Sequence, residues 1–473
     1  MDPSRPFLIG GERRESLRSA AVAFPYDGSI AGRVDLAGAV EIEDAVRTAL
    51  TGAAEMAALP SHARSAILAR MAALVEADAD AFAQTIVLEA GKTIGMARIE
   101  VERAAATLRV SAEEARRLGG EVVDLDWTPA GEGCTGVYRR FPVGIVLAIT
   151  PFNFPLSTVC HKLGPALAAG NAVIVRPSTK TPLSALALGE CALAAGCPPA
   201  AISVVPSSTA DAERLAADPR IGLVSFTGSP EVGWHLKAIA GRTRVALEHG
   251  GNAAVIVEPD ADLELAAARC VQGGFANAGQ VCLSVQRVFL HAQVYDEGVA
   301  RIVAGVQALS VGDPRDPATA VGPMISEAAA VMAEEMVREA VEAGARCECG
   351  GTRTGRLFAP TVLTGTTPSM RVNAEEVFAP VVTVTPYDRL ADALALANDS
   401  AYGLQQSLFT RDLGTIVRAF EQCRAGSLIV NDVAFRVDQM PYGGTGASGT
   451  GREGPRYAIE EMTEARLLVV RAP

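Results

Sequence analysis

No run of this 473-residue chain is apolar for long enough to cross a membrane as a helix. Ala-rich helical stretches such as 184–195 are broken by Gly and Pro, as buried helices are. The first ten residues lack a basic segment followed by a long apolar core, so no secretory signal is expected. Cationic excess is missing too: 42 Lys and Arg against 54 Asp and Glu leave a formal charge of −12. That argues against a nucleic-acid surface or an anionic membrane as partner. The nine cysteines (134, 160, 191, 197, 270, 282, 347, 349 and 423) are odd in number and scattered, which suits a reducing cytoplasm better than a disulfide framework. Cys347 and Cys349 form a C-x-C with no second pair or nearby histidine, so no metal site is expected. Solenoid repeats and low-complexity segments are absent as well.

What is present is an ordinary globular composition, 49% hydrophobic and 20% charged, in a chain too long for one core, so two or three domains are expected. Residues 7–33 read as short strands and turns. From 42 to about 114 apolar residues recur at helical spacing, with a start at Pro60-Ser61 and a stop at Ala90-Gly91. A long helix over 97–118 carries Arg103, Arg109, Arg116 and Arg117, three of which fit a solvated face. Residues 121–140 form a strand, a Gly-rich turn and a second strand. Short continuous apolar runs then alternate with helical segments from 144 to 247 and again after Gly250-Gly251, the pattern of doubly wound α/β sheets. The chain closes with a Gly-rich loop over 441–454 and a strand over 465–470.

Three polar residues lie beside these strand-like runs, where open α/β sheets bind ligands. Asn153 follows the run ending at Ile149, Glu248 follows Val245-Ala246-Leu247, and Cys282 precedes the run 287–290. Cys282 sits in Gly279-Gln280-Val281-Cys282-Leu283-Ser284, a setting able to present a thiol at a pocket. An amide, a carboxylate and a thiol suit acyl transfer: the thiolate attacks a carbonyl, the amide N–H holds the oxyanion, and the carboxylate activates water.

The ordered motifs Pro151-Phe152-Asn153-Phe154-Pro155, Phe226-Thr227-Gly228-Ser229, Leu247-Glu248-His249-Gly250-Gly251, Gly279-Gln280-Val281-Cys282, Glu375-Glu376-Val377-Phe378 and Pro441-Tyr442-Gly443-Gly444 resemble those of the aldehyde dehydrogenase superfamily. The resemblance implies an α/β fold with a Rossmann-like cofactor domain (1–120 and 141–248), an α/β catalytic domain (249–440) and a small β oligomerisation arm (121–140 and 455–473). It implies a thiohemiacetal and then a thioester on Cys282. The oxyanion is held by Asn153 and the Cys282 N–H, and water activated by Glu248 releases the acid. Lys162 matches a lysine linked in the family to proton handling, with an ordinary helix-surface lysine as the alternative.

The implied cofactor is NADP or NAD. In place of the usual G-x-G-x-x-G, Gly228-Ser229 and Gly233 open a helix able to receive pyrophosphate. Ile149, Thr150, Pro151 and Phe152 line the strand end, Arg176, Ser178 and Thr179 match the stretch at the adenosine ribose, and Glu376 and Phe378 match residues at the nicotinamide. Thr179 stands where NAD-preferring members often have Glu, and Lys180 follows, so NADP should be accepted. Arg103, Phe154, Val281 and Arg436 occupy substrate positions, and two arginines favour an anionic tail. Relatives acting on phosphorylated or phosphono aldehydes tend to have Arg where Val281 stands and His or a polar aromatic at 154. The C-terminal segments instead resemble lactaldehyde-type enzymes. The alternative for Arg436 is a salt bridge to Asp438 or Asp432. The expectation is therefore oxidation of a small polar or anionic aldehyde by a cytoplasmic homodimer or homotetramer. Retention of Glu248 argues against a CoA-acylating enzyme, and retention of Cys282 and Asn153 against a non-catalytic scaffold.

Overall fold

The computed structural model describes residues 4–471. Its first sheet has eight strands in the order Glu12–Arg14, Phe7–Ile9, Ile202–Val204, Ala172–Arg176, Ile145–Ile149, Leu223–Gly228, Arg244–His249, Gly449–Thr450. The five strands from Ile202–Val204 to Arg244–His249 are parallel. Ile145–Ile149 is buried at every position, which is why it reads as a continuous apolar run and not as an alternation. After Ile145–Ile149 the chain winds outward through Ala172–Arg176 and Ile202–Val204, then crosses to Leu223–Gly228 on the other side. That reversal opens a crevice at the carboxyl ends of Ile145–Ile149 and Leu223–Gly228.

The N-terminal helices cover this sheet. Ser61–Ala77 follows Pro60, and Ala79–Ala90 ends on Gly91 at φ 69°, a left-handed position that glycine takes without strain. Ile94–Arg117 packs against Ser61–Ala77 and Ser157–Ala169. Of its arginines, Arg109 pairs with Glu76 and Arg117 with Glu113 and Glu114 at the surface, whereas Arg103 turns inward.

A second sheet of seven strands runs Arg346–Cys349, Thr361–Thr364, Val381–Tyr387, Val285–His291, Ala253–Val257, Gln405–Phe409, Ser427–Val430, all parallel except the first pair. Only Gly250, Gly251 and Asn252 separate the end of Arg244–His249 from the start of Ala253–Val257. The carboxyl ends of the first sheet therefore face the amino ends of the second.

A three-stranded antiparallel sheet of Thr463–Arg471, Cys134–Pro142 and Gly120–Asp124 stands apart from both. The tail of the chain belongs in part to the first unit. Gly449–Thr450 adds an antiparallel edge strand beside Leu247 and Glu248, and Pro455–Glu461 is a helix packed on Ser157–Ala169. Neither short element carries a periodic signal, so the sequence reads them as loop and arm. No helix among the described residues is long and apolar enough to cross a membrane.

Candidate active site

Glu248 lies next to last in Arg244–His249, paired with Thr227 on one side and Gly449 on the other, and is 5% exposed. Asn153 is in the turn between Ile145–Ile149 and Ser157–Ala169. Its Nδ2 donates to the Gln280 carbonyl at 2.9 Å, which ties the first sheet's loop to the segment carrying Cys282. One amide hydrogen remains for a ligand.

That segment is held in an uncommon backbone shape. Asn277, Ala278 and Gly279 have φ of 51°, 54° and 70°, three left-handed residues in succession. For Ala278 this conformation costs about 1–2 kcal/mol, so the surroundings must impose it. They do so through Gln280, whose side chain donates to Asn277 O at 3.1 Å and accepts from Ile325 N at 2.8 Å. A Cβ at Gly279 would meet the Ala379 carbonyl at 2.0 Å, so close approach as well as φ requires glycine there. The turn ends at Cys282, whose backbone N–H donates no hydrogen bond within the described residues.

Cys282, Glu248 and Asn153 line one cavity of about 550 Å³ between the two sheets. Burial, and then the charge of Glu248, push the thiol pKa well up. Burial and the charge of Glu453 push that of Glu248 up as well. Both groups hydrogen-bond the Tyr442 hydroxyl, Sγ at 3.0 Å and Oε1 at 3.2 Å. The motif Pro441-Tyr442-Gly443-Gly444 marks the place without assigning this side chain a role. Glu453, in Gly451-Arg452-Glu453-Gly454, is a second residue brought in by the tail.

Lys162 is not a surface lysine. It is 1% exposed and donates to Ser225 Oγ and Glu453 Oε1, each at 3.0 Å. It lies outside the main cavity and lines a second one of about 20 Å³ with Glu248, Glu453 and Thr450, room for a single water. Arg436 is paired with neither Asp438 nor Asp432. It binds Glu453 Oε2 at 2.8 Å and lies 3.9 Å over the Tyr442 ring. Asp432 instead pairs with Arg269, and Asp438 accepts from Thr107. Burial works to raise the Glu453 pKa, but Lys162 and Arg436 overcome it and hold the carboxyl far below its usual range.

Arg103 and Arg436 line the cavity together, and so do Phe154 and Val281. Arg103 has no carboxylate within salt-bridge distance among the described residues, and burial followed by the charge of Arg436 lowers its pKa. His161, 3% exposed, is held neutral by burial and by Arg436, with Nδ1 3.5 Å from Asp438.

The cavity continues to the crevice at the strand reversal, where Ile149, Thr150, Pro151, Phe152, Arg176 and Ser178 form one wall. Gly228 and Ser229 stand opposite, at the start of helix Pro230–Ile239, and Glu376 and Phe378 at the inner end. Thr179 does not reach this wall. Gly233 does not either: a Cβ there would meet the His249 ring at 1.9 Å, so it serves close packing of helix on strand. Thr150 Oγ1, Thr227 Oγ1 and Arg176 Nε are buried in the crevice without partners among the described residues, spare hydrogen-bonding capacity suited to a polar dinucleotide. Arg176 Nη2 is tied to Ser207 O at 2.7 Å. Glu376 accepts from Gly251 N at 3.0 Å, and burial raises its pKa to about 8. No group of His, Cys, Asp and Glu suited to a metal occurs among the described residues.

Residues 13–468 match the model of the aldehyde dehydrogenase family. The chain is 43% identical over 464 residues to 3-sulfolactaldehyde dehydrogenase of Priestia aryabhattai, covering 98% of this chain and 97% of the relative. Aldehyde dehydrogenase 21 from Physcomitrella patens, solved in complex with the reaction product succinate, matches with a TM-score of 0.95 at 39% identity, over 99% of this chain and 98% of that one. Glyceraldehyde-3-phosphate dehydrogenase from Methanocaldococcus jannaschii, complexed with NADP, matches with a TM-score of 0.93 at 33% identity, over 97% and 100%. Sequence, fold and site agree: the chain belongs to the aldehyde dehydrogenase family and is an aldehyde dehydrogenase.

Proposed function

We propose that this enzyme oxidises a short aldehyde with a carboxylate or sulfonate tail to the corresponding acid. The observation that carries this reading is Arg103, a partly buried guanidinium without a carboxylate partner in the cavity that holds Cys282. Arg436 adds positive charge beside it, though half committed to Glu453. A sulfonate aldehyde is the substrate named for the Priestia relative, and a dicarboxylate product is bound in the moss enzyme.

Cys282 is the nucleophile in this reading. Its N–H and the free amide hydrogen of Asn153 hold the oxyanion, and Phe154 and Val281 give the cavity apolar wall around the carbon chain. NADP or NAD, when bound, would supply the hydride acceptor for oxidation of the Cys282 adduct. Glu248 activates the water that releases the acid, and the small cavity behind it, lined by Lys162 and Glu453, has room for one water through which its proton leaves. Arg176, Ser178, Gly228, Ser229, Glu376 and Phe378 would hold the cofactor. The absence of a carboxylate at Thr179, beside the exposed Lys180, supports use of NADP. Nine free cysteines suit a reducing cytoplasm, and the exposed arm suits a homodimer or homotetramer.

The test is kcat/KM for succinate semialdehyde and 3-sulfolactaldehyde against a neutral aldehyde of similar length. Arg103→Ala should lower the first two by about 10- to 100-fold, the worth of a charge-assisted hydrogen-bond pair, and leave the neutral aldehyde nearly unchanged. Equal losses on all three would remove the anionic-tail reading.

A further inference from the structure

We infer that the Tyr442 hydroxyl is a catalytic proton carrier linking the Cys282 thiol to the Glu248 carboxylate. The inference rests on Cys282 as nucleophile and goes beyond the proposed substrate class. Sγ and the Glu248 carboxylate both hydrogen-bond this one phenol, at 3.0 Å and 3.2 Å, and they also lie close enough to interact with each other directly, so the phenol bridges two groups that face one another. A phenol has a single proton, so with Glu248 ionised the hydroxyl donates to the carboxylate and its oxygen accepts from the thiol.

The ring cannot swing out of this position. Tyr442 is 2% exposed and packs on Leu283 and Leu404, with the Arg436 guanidinium over one face. Its backbone exchanges hydrogen bonds with Glu453, the residue that anchors that guanidinium: Tyr442 N to Glu453 O at 3.0 Å and Glu453 N to Tyr442 O at 2.6 Å. One residue thus sets both the register of the tyrosine and the cation stacked on it.

The transfer balances without a further reactant. The S–H bond breaks as its proton forms a bond to the phenol oxygen, and the phenol's own O–H breaks as that proton passes to Glu248. A thiolate and a protonated carboxyl result, with the tyrosine neutral before and after. Arg436, Glu453, Lys162, Arg103, His161 and Asp438 are the charged and titratable groups around the trio, and none hydrogen-bonds the sulfur.

Tyr442→Phe keeps the ring and removes only the hydroxyl. The readout is the rate of Cys282 alkylation by iodoacetamide across pH, with the modified residue identified by mass spectrometry. No aldehyde is needed, so a wrong substrate class leaves this test intact. Alkylation at pH 7 should slow about 100-fold, the lower end of what positioned acid–base groups contribute, and recover as hydroxide takes over at high pH. A profile that superimposes on the wild type, or one lowered equally at every pH, overturns the relay. Should the variant fail to fold, the wild-type rate in mixtures of light and heavy water decides. Curvature from two protons in flight supports the relay, and a linear dependence overturns it.

Discussion

Glu248, the base of the proposed mechanism, is a carboxylate in a place that disfavours its charge. Burial raises its pKa, and Glu453 raises it further, while Arg436 and Lys162 pull the other way. Water activation needs the ionised form, so thioester hydrolysis should be lost as pH falls through the raised pKa and regained above it. Glu453→Gln removes the negative neighbour and leaves both cations uncompensated, so the ascending limb of single-turnover hydrolysis should move to lower pH. A limb that stays in place would show that Glu453 does not act on Glu248. Ordered motifs make Cys282, Glu248 and Asn153 legible in the sequence, because each sits beside an apolar strand. Tyr442 and Glu453 are not legible in that way. They arrive through a Gly-rich tail that folds back to pair Gly449 with Glu248, and nothing local announces which tail side chains then face the thiol. Arg436 illustrates the same point: acids two and four residues away are its nearest neighbours in sequence, yet it binds one 17 residues on.

At the scale of elements, a buried ion pair fixes where the Asn153 turn lies. Glu100, from the helix Ile94–Arg117, accepts from Leu156 N at 3.0 Å and Ser157 N at 3.1 Å, and so caps the helix Ser157–Ala169 from outside. Its second oxygen takes Lys92 Nζ at 2.5 Å, and that ammonium lies 3.6 Å from the centroid of the Phe154 ring. Glu89 treats the helix Leu183–Ala194 alike, accepting from Leu183 N at 2.7 Å and Ser184 N at 3.1 Å. Helical periodicity reveals these helices but not the carboxylates at their starts, because each acid is contributed by a different helix. Lys92→Met leaves Glu100 buried and unpaired, which should cost about 3–5 kcal/mol and appear as a lower melting temperature. Lys92→Met with Glu100→Gln should recover part of that loss. If the single variant melted with the wild type, the pair would not be what holds the turn. The left-handed run 277–279 was equally hidden, since Ala278 enters that conformation only because its surroundings, among them the Gln280 side chain anchored on the Ile325 backbone, impose it.

For the whole molecule, the alternation of apolar strands and helices conveys two sheets, and the short segment Gly250–Asn252 between them explains why the site lies at their junction. The arm follows a different logic. Among the described residues its strand Thr463–Arg471 pairs only with Cys134–Pro142 and is an open edge, with Leu467 57%, Leu468 62%, Val469 49% and Val470 55% exposed. Four consecutive exposed apolar residues on a free edge are an aggregation hazard in a monomer and an ordinary interface once a second copy covers them. The nine-residue register with Cys134–Pro142 makes the strand rigid enough to present that edge. Leu468→Asp with Val470→Lys should therefore convert a dimer or tetramer to the 49.0 kDa monomer in light scattering after size exclusion, with the melting temperature of the cores largely kept. A wild-type protein that already elutes as a monomer at micromolar concentration would sink this reading, and the edge would then need a different cover.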